Sequence, residues 1–177
     1  TAGLHFTAEM MSRLAARGIQ LTFVTLHVGI GTFKPVTADL LHEHRMESER
    51  FEIPPATADA IRQAKHEGRR VVAIGTTVVR TLEGAALLSG GLPLAGSGAT
   101  DLFIRPGFRF LVVDGLLTNF HLPRSTLLVL VSAFAGRQRV LAAYGEAIAA
   151  GYRFYSYGDA MFAWRAARMR CASTAAP

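Results

Sequence analysis

Cysteine is almost missing: Cys171 is the only one in 177 residues. No disulfide can form within the chain and no cysteine-rich metal site is available, which points to a reducing cytoplasm. Lysine is equally scarce. Of the 19 basic residues only Lys34 and Lys65 are lysine, so a formal charge of +6 rests almost wholly on arginine. The guanidinium is a planar fork that suits phosphate and carboxylate, so an anionic partner is indicated, with arginine-rich codon usage as a partial explanation. Long apolar runs are missing too. The longest, residues 127–131, falls far short of the roughly 20 residues that span a bilayer, which argues against a membrane partner. No charged-then-apolar leader opens the chain. It begins with Thr1 rather than Met, as a fragment or a trimmed product does. What is present is half hydrophobic (50%) and lightly charged (18%), enough to bury a core, and a monomer is the expectation. No internal repeat is visible.

The residues around His121 organise the rest. Strand-like apolar residues at 110–113 lead into Thr118, Asn119, His121 and Arg124, crowded within seven positions. Pro123 ends the strand and Ser125 reads as an N-cap. Residues 127–134 then form a helix apolar on nearly every face, hence buried. A polar cluster between a strand end and a buried helix is where open α/β sheets hold ligands. An ordinary loop with one satisfied histidine fits the pattern about as well.

The remaining segments supply similar junctions. Thr7 caps a helix over 8–17, and residues 19–28, apolar on both faces, read as an interior strand. Gly29, Gly31 and Thr32 follow in a glycine loop. It lacks the third glycine of a dinucleotide fingerprint, and Pro35 blocks entry into a helix, so close backbone approach to a ligand is the better reading. Residues 42–49 are the most polar block, but their His and Glu spacing matches no zinc helix, and no metal is assigned. Thr57 caps a helix over 58–67. A strand at 70–74 runs through Gly75, Thr76 and Thr77 into a helix over 78–88, with Arg80 facing the same anion-friendly helix end. Residues 89–99 read as a mobile small-residue loop, and 101–113 as a β-hairpin turning at Arg105-Pro106-Gly107. A helix over 137–150 precedes an aromatic stretch with Phe154, Tyr157 and Asp159, suited to stacking a base or closing a sheet. The order predicts an α/β fold, three-layer, with a mostly parallel sheet, helices on both faces and an inserted β-hairpin. Residues 1–162 form the major part of a single α/β catalytic domain, and 163–177 a frayed tail.

Six blocks together resemble one family. Thr1-Ala2-Gly3-Leu4-His5-Phe6-Thr7, Val24-Thr25-Leu26-His27-Val28-Gly29-Ile30-Gly31-Thr32-Phe33 and Gly75-Thr76-Thr77 through Arg80-Thr81-Leu82-Glu83 are three of them. Leu102-Phe103-Ile104 with Pro106-Gly107, the stretch around His121, and Tyr152-Arg153-Phe154 with Ser156-Tyr157-Gly158-Asp159-Ala160-Met161 complete the set. They resemble the S-adenosylmethionine:tRNA ribosyltransferase-isomerase family of queuosine biosynthesis. Two features depart from it: Glu47 stands where that family usually has His, and the family's amino-terminal portion has no counterpart here.

The resemblance implies transfer and isomerisation of the ribosyl group of S-adenosylmethionine onto 7-aminomethyl-7-deazaguanine at the tRNA wobble position. The products are epoxyqueuosine-tRNA, adenine and methionine. S-adenosylmethionine is then a consumed substrate rather than a bound cofactor, and the tRNA anticodon loop is the partner. A sulfonium acidifies the neighbouring ribose carbon, so a base is needed there, and departing adenine needs a proton; histidine suits both near neutral pH. On residue type and position, His121 and His27, then His5, are the acid–base candidates. Asp159 suits ribose hydroxyls or the sulfonium. Thr76, Thr77 and Arg80 suit a carboxylate or phosphate, Phe120 and Tyr157 a stacked base, and Asn119, Gly29, Gly31, Thr32 and Gly75 complete the substrate-binding set. Two other readings stay open: an inactive tRNA- or nucleotide-binding remnant of the family, and an unrelated α/β domain that binds a phosphorylated metabolite.

Overall fold

The structure, a computed structural model, describes residues 1–29 and 40–166. Gly31 and Thr32 lie outside the described residues. A 3-10 turn, Ala2–His5, precedes helix α1, Ala8–Ala16, whose cap Thr7 accepts the Met10 N–H at 3.1 Å. Strand character then appears only at β1, Thr25–Leu26, where the sequence predicts a longer interior strand. Among the described residues β1 pairs on one side alone, antiparallel with β2, Glu49–Ile53. It is the edge of the sheet they form, and Phe23 ahead of it is 71% exposed.

The other neighbour of β2 is β4, Gly96–Thr100, again antiparallel and with Phe51 opposite Gly98. This is part of the stretch that small residues suggest is a mobile loop. Its glycines serve the pairing: a Cβ on Gly98 would come 2.5 Å from Phe51 Cζ, so only glycine lets that ring lie across the ladder. The second sheet has the order β3 (Val72–Ile74), β5 (Gly115–Asn119), β6 (Ala160–Trp164), with β3 and β5 parallel and β5 and β6 antiparallel. The fold is thus mixed α/β with two small sheets, rather than three layers around a mostly parallel one. A helical crossover yields one parallel pair, while the other strands return antiparallel. β6 also takes in Ala163 and Trp164, the first residues of the expected frayed tail, and Trp164 is laddered opposite Gly115.

No hairpin forms at 101–113. The reason is a side chain. Glu83, fully buried, accepts the backbone N–H groups of Leu111 at 2.7 Å, Val112 at 3.1 Å and Val113 at 2.9 Å, which removes the donors a ladder requires. The Arg105–Phe108 turn does form, closed by Phe108 N–H to Arg105 C=O at 3.0 Å.

Helix α2, Pro55–His66, begins earlier than expected, and Thr57 sits inside it. Its hydroxyl donates to Phe23 C=O at 2.7 Å and ties the segment before β1 to α2. Helix α3, Thr76–Ser89, packs against β1, β3, β4, β5 and helix α4, Thr126–Ala135. One core therefore includes Phe51 and Ile53 of the first sheet, Leu116 and Ala163 of the second, and Val79 and Leu82 of α3 between them. The cap of α4 is Ser125, which accepts the Leu128 N–H at 3.1 Å. Helix α5, Arg137–Ala149, leaves α4 at an angle of 114° through Gly136. No single helix among the described residues is long and apolar enough to cross a membrane.

Candidate active site at the ends of two parallel strands

Because β3 and β5 run parallel, their carboxyl ends emerge at one edge of the sheet. β3 delivers Gly75 and Thr76; β5 delivers Thr118, Asn119, Phe120 and His121. Gly75 ties the two exits together by donating its N–H to Leu117 C=O at 2.8 Å, with a φ of +96° that favours glycine. Thr76 follows as the first residue of α3 and is buried, with no side-chain cap on that helix. Its open N–H groups make this end an anion-friendly position. β6 starts from the same edge, with Asn119 opposite Ala160, so Asp159 stands beside Asn119. The amino-terminal 3-10 turn folds over this edge: Ala2 lies 3.6 Å from the Cβ position of Gly75.

His121 is 8% exposed, and one of its ring nitrogens, Nε2, lies 2.8 Å from the Thr118 hydroxyl. Burial pushes its pKa down from the ordinary 6.5 to about 4. The ring is therefore neutral at physiological pH, with one nitrogen free of a proton. Its backbone N–H donates to the Tyr144 hydroxyl at 2.8 Å. Burial in turn raises the Tyr144 pKa, so that hydroxyl stays protonated.

Asn119 is 2% exposed and occupied on every side. Its amide nitrogen lies 3.2 Å from His5 Nε2 and from Tyr155 C=O, and 3.4 Å from the carbonyls of Ser156 and Gly158. Its carboxamide oxygen receives the Thr1 hydroxyl at 3.4 Å. Asn119 thus pins the 155–158 loop and His5 to the end of β5, which occupies its own amide, the group expected to meet a substrate. The loop is tight. Tyr155 has a φ of +74°, and a Cβ on Gly158 would collide with the carbonyl of Arg153. Tyr157 projects from it at 88% exposure. Asp159 closes it, one carboxylate oxygen taking the Arg153 N–H at 2.7 Å. That bond, ahead of the Arg153 guanidinium and His5, holds its carboxyl below the usual carboxylate range.

Other candidates lie elsewhere. Phe120, expected as a stacking face, is 3% exposed and packs among Tyr144, Tyr152 and Phe154 with ring centroids 5.1, 5.9 and 5.2 Å away; it belongs to the core. Arg80, expected to face the helix end with Thr76 and Thr77, turns inward. Its guanidinium pairs with buried Glu49 and donates to Leu102 C=O at 3.2 Å. His27 lies on the other sheet, exposed, with its backbone N–H on Arg50 C=O at 2.8 Å. Gly29 is fixed by the second oxygen of Glu49, which accepts its N–H at 2.8 Å. Glu49 therefore links the start of the glycine loop to α3, four residues beyond Thr76. Thr118, Tyr144 and Glu49 are the residues that sequence reading missed. Thr118 sits in the crowded stretch itself and Glu49 at the end of the polar block, whereas Tyr144 gives no local signal, coming from a helix 23 positions away. Among the described residues no group of three or more His, Cys, Asp or Glu is placed to hold a metal.

A family model described as queuosine biosynthesis protein matches residues 1–163. A protein of Heliobacterium modesticaldum named S-adenosylmethionine:tRNA ribosyltransferase-isomerase is 63% identical over 161 residues, 91% of this chain and 47% of that protein. One of the same name from Geobacter sulfurreducens is 60% identical over 162 residues, 92% of this chain and 47% of its own length. The crystal structure of S-adenosylmethionine tRNA ribosyltransferase from Thermotoga maritima superposes with a TM-score of 0.73 at 48% identity, covering 92% of this chain and 51% of that one. The chain spans about half the length of the curated relatives it matches.

Proposed function

The chain belongs to the queuosine biosynthesis protein family, and on that premise we propose that it forms the part of a tRNA ribosyltransferase-isomerase that holds S-adenosylmethionine and the reacting ribose. The reaction moves the ribosyl group onto 7-aminomethyl-7-deazaguanine in the anticodon loop and releases adenine and methionine. The observation that supports this most is the joint exit of β3 and β5: Gly75, ahead of Thr76, bonds to β5, Asn119 holds His5 and the loop that ends before Asp159, and His121 follows two residues after Asn119. A crevice at the carboxyl ends of parallel strands is the usual ligand position in open α/β sheets.

The chemistry follows from those groups. A sulfonium makes the adjacent ribose C–H acidic, and a neutral imidazole accepts that proton; His121 is neutral at physiological pH because it is buried. The Thr118 hydroxyl, 2.8 Å from the ring, fixes which way it faces. His5, half-buried beside Asn119, is the proton donor for departing adenine. The N–H groups at the start of α3 take the methionine carboxylate, and the second oxygen of Asp159, 3.6 Å from the exposed Arg153 guanidinium, takes a ribose hydroxyl or the positive sulfur. Tyr157 stacks on a base of the anticodon loop.

The test is adenine release from S-adenosylmethionine in the presence of modified tRNA, followed by chromatography. His121→Ala abolishes release, a loss of at least about a hundredfold, while circular dichroism and the unfolding midpoint show a folded protein. Turnover at the unsubstituted rate removes His121 from the mechanism. A second reading, a binding remnant, is favoured by Glu47, whose carboxylate reaches within 3.6 Å of the Cβ position of Gly29 and puts negative charge beside the glycine loop. Binding of both substrates with no adenine released supports that reading instead.

A further inference from the structure

Away from the β3–β5 edge, the chain has a cavity of about 550 Å³ that the chemistry above does not use. One wall is the Arg105–Phe108 turn with Phe103; the other is Leu41 and His42. Its residue types are selective. Among the described residues Arg105 and His42 are its ionisable side chains, no carboxylate lines it, and Phe103 and Phe108 give it aromatic surface. The wall that carries Arg105 is also stiff. Pro106 and Gly107, the latter with φ +95°, form a type II turn closed by the Phe108 N–H on Arg105 C=O at 3.0 Å. Phe108 packs edge-on against Phe110, and Phe110 against Phe134 of the core, with centroids 4.9 and 5.0 Å apart. Phe103 is braced by the His44 ring at 5.0 Å. Behind it, the Leu102 carbonyl is held by Arg80 of α3 at 3.2 Å. Arg105 itself is exposed, so its fork is carried by a rigid turn yet is open to a ligand.

We propose that this cavity binds one nucleotide of the RNA substrate, its phosphate on Arg105 and His42 and its base against Phe103 and Phe108. The inference rests on the tRNA reading above and adds to it a second contact point, separate from the β3–β5 edge. An arginine fork matches phosphate in two hydrogen bonds, and an aromatic face accepts any unpaired base. The volume lies within the range of pockets that enclose small ligands. His42 alone among the described lining groups could ligate a metal, too few for a site, and a wholly apolar ligand leaves Arg105 and His42 without a partner.

The test compares the protein with its Arg105→Gln and His42→Gln variants. Uridine 5′-monophosphate and uridine are followed by saturation-transfer NMR, and an anticodon stem-loop RNA by fluorescence anisotropy across a salt series. Arg105→Gln weakens the monophosphate about tenfold and leaves the weaker uridine unchanged. It also weakens the RNA by a similar factor and lowers the salt slope by about one. His42→Gln acts in the same direction with a smaller effect, and S-adenosylmethionine affinity is unchanged in both. Equal affinities and slopes for Arg105→Gln and the unsubstituted protein, with both ligands, overturn the pocket. A loss confined to the monophosphate overturns RNA as its source and assigns a free nucleotide. Monophosphate binding that depends on Arg105, in a protein that binds no RNA, overturns the tRNA reading and leaves the pocket standing.

Discussion

At the scale of single residues, His121 ties folding to pH. A buried neutral imidazole whose pKa has fallen from 6.5 to about 4 binds fewer protons when folded than when unfolded between those values. Stability therefore is fully present above about pH 6.5, declines as pH falls, and stops declining on this account below about pH 4. The contribution is on the order of 3 kcal/mol. Urea unfolding between these limits shows the slope in the unsubstituted protein, and His121→Asn flattens it. An unchanged slope in that variant assigns the dependence to carboxylates instead. Asn119 carries a different lesson. Its position in the motif suggested contact with substrate, yet its amide is spent on His5 and three loop carbonyls. The residue type was legible as important; which partner it serves depended on a loop more than 30 positions away.

Elements were legible where local signals decide them and illegible where a distant side chain does. Caps at Thr7 and Ser125 name their own helices, because the hydroxyl meets an N–H three residues on. The stretch 19–28, apolar on both faces, promises an interior strand of which only Thr25–Leu26 forms, and the apolar run at 108–113 promises one that does not form. In the second case Glu83, nearly 30 residues upstream, takes the N–H groups that a strand partner would have taken. The glycine-rich 96–98 stretch was read as loose, because nothing local says that Phe51 will lie across it. Exchange of Glu83 for Gln tests this account. One carboxylate oxygen becomes an NH₂ group that faces a backbone N–H, so the variant loses about 2 kcal/mol. Amide exchange quickens most at Leu111, whose acceptor Oε2 is the oxygen not shared by Val112 and Val113. Equal protection at all three amides and an unchanged unfolding midpoint show that Glu83 is not what holds this segment.

For the whole molecule, the question is how two three-stranded sheets, each too small to enclose a core, become one body. α3 lies between them. Gly84 lets it approach β4 closely, since a Cβ there would come 2.5 Å from the Thr100 hydroxyl. One turn earlier, Arg80 reaches from α3 to Glu49 of β2, both side chains almost fully buried, and Glu49 holds Gly29 in turn. The cross-brace thus joins the helix that begins at Thr76, the first sheet and the start of the glycine loop. Buried ion pairs are held by their mutual attraction against a large desolvation cost, so removing one partner is worse than removing both. Glu49→Leu therefore strands the Arg80 charge and costs about 3–5 kcal/mol. The double variant Glu49→Leu with Arg80→Met recovers most of that in denaturant midpoint. Its recovery would not extend to the glycine loop, where the Gly29 N–H stays without the carboxylate. If the fold recovers in the double variant and S-adenosylmethionine affinity does not, the pair serves the site as well as the core; if both recover together, it serves the core alone.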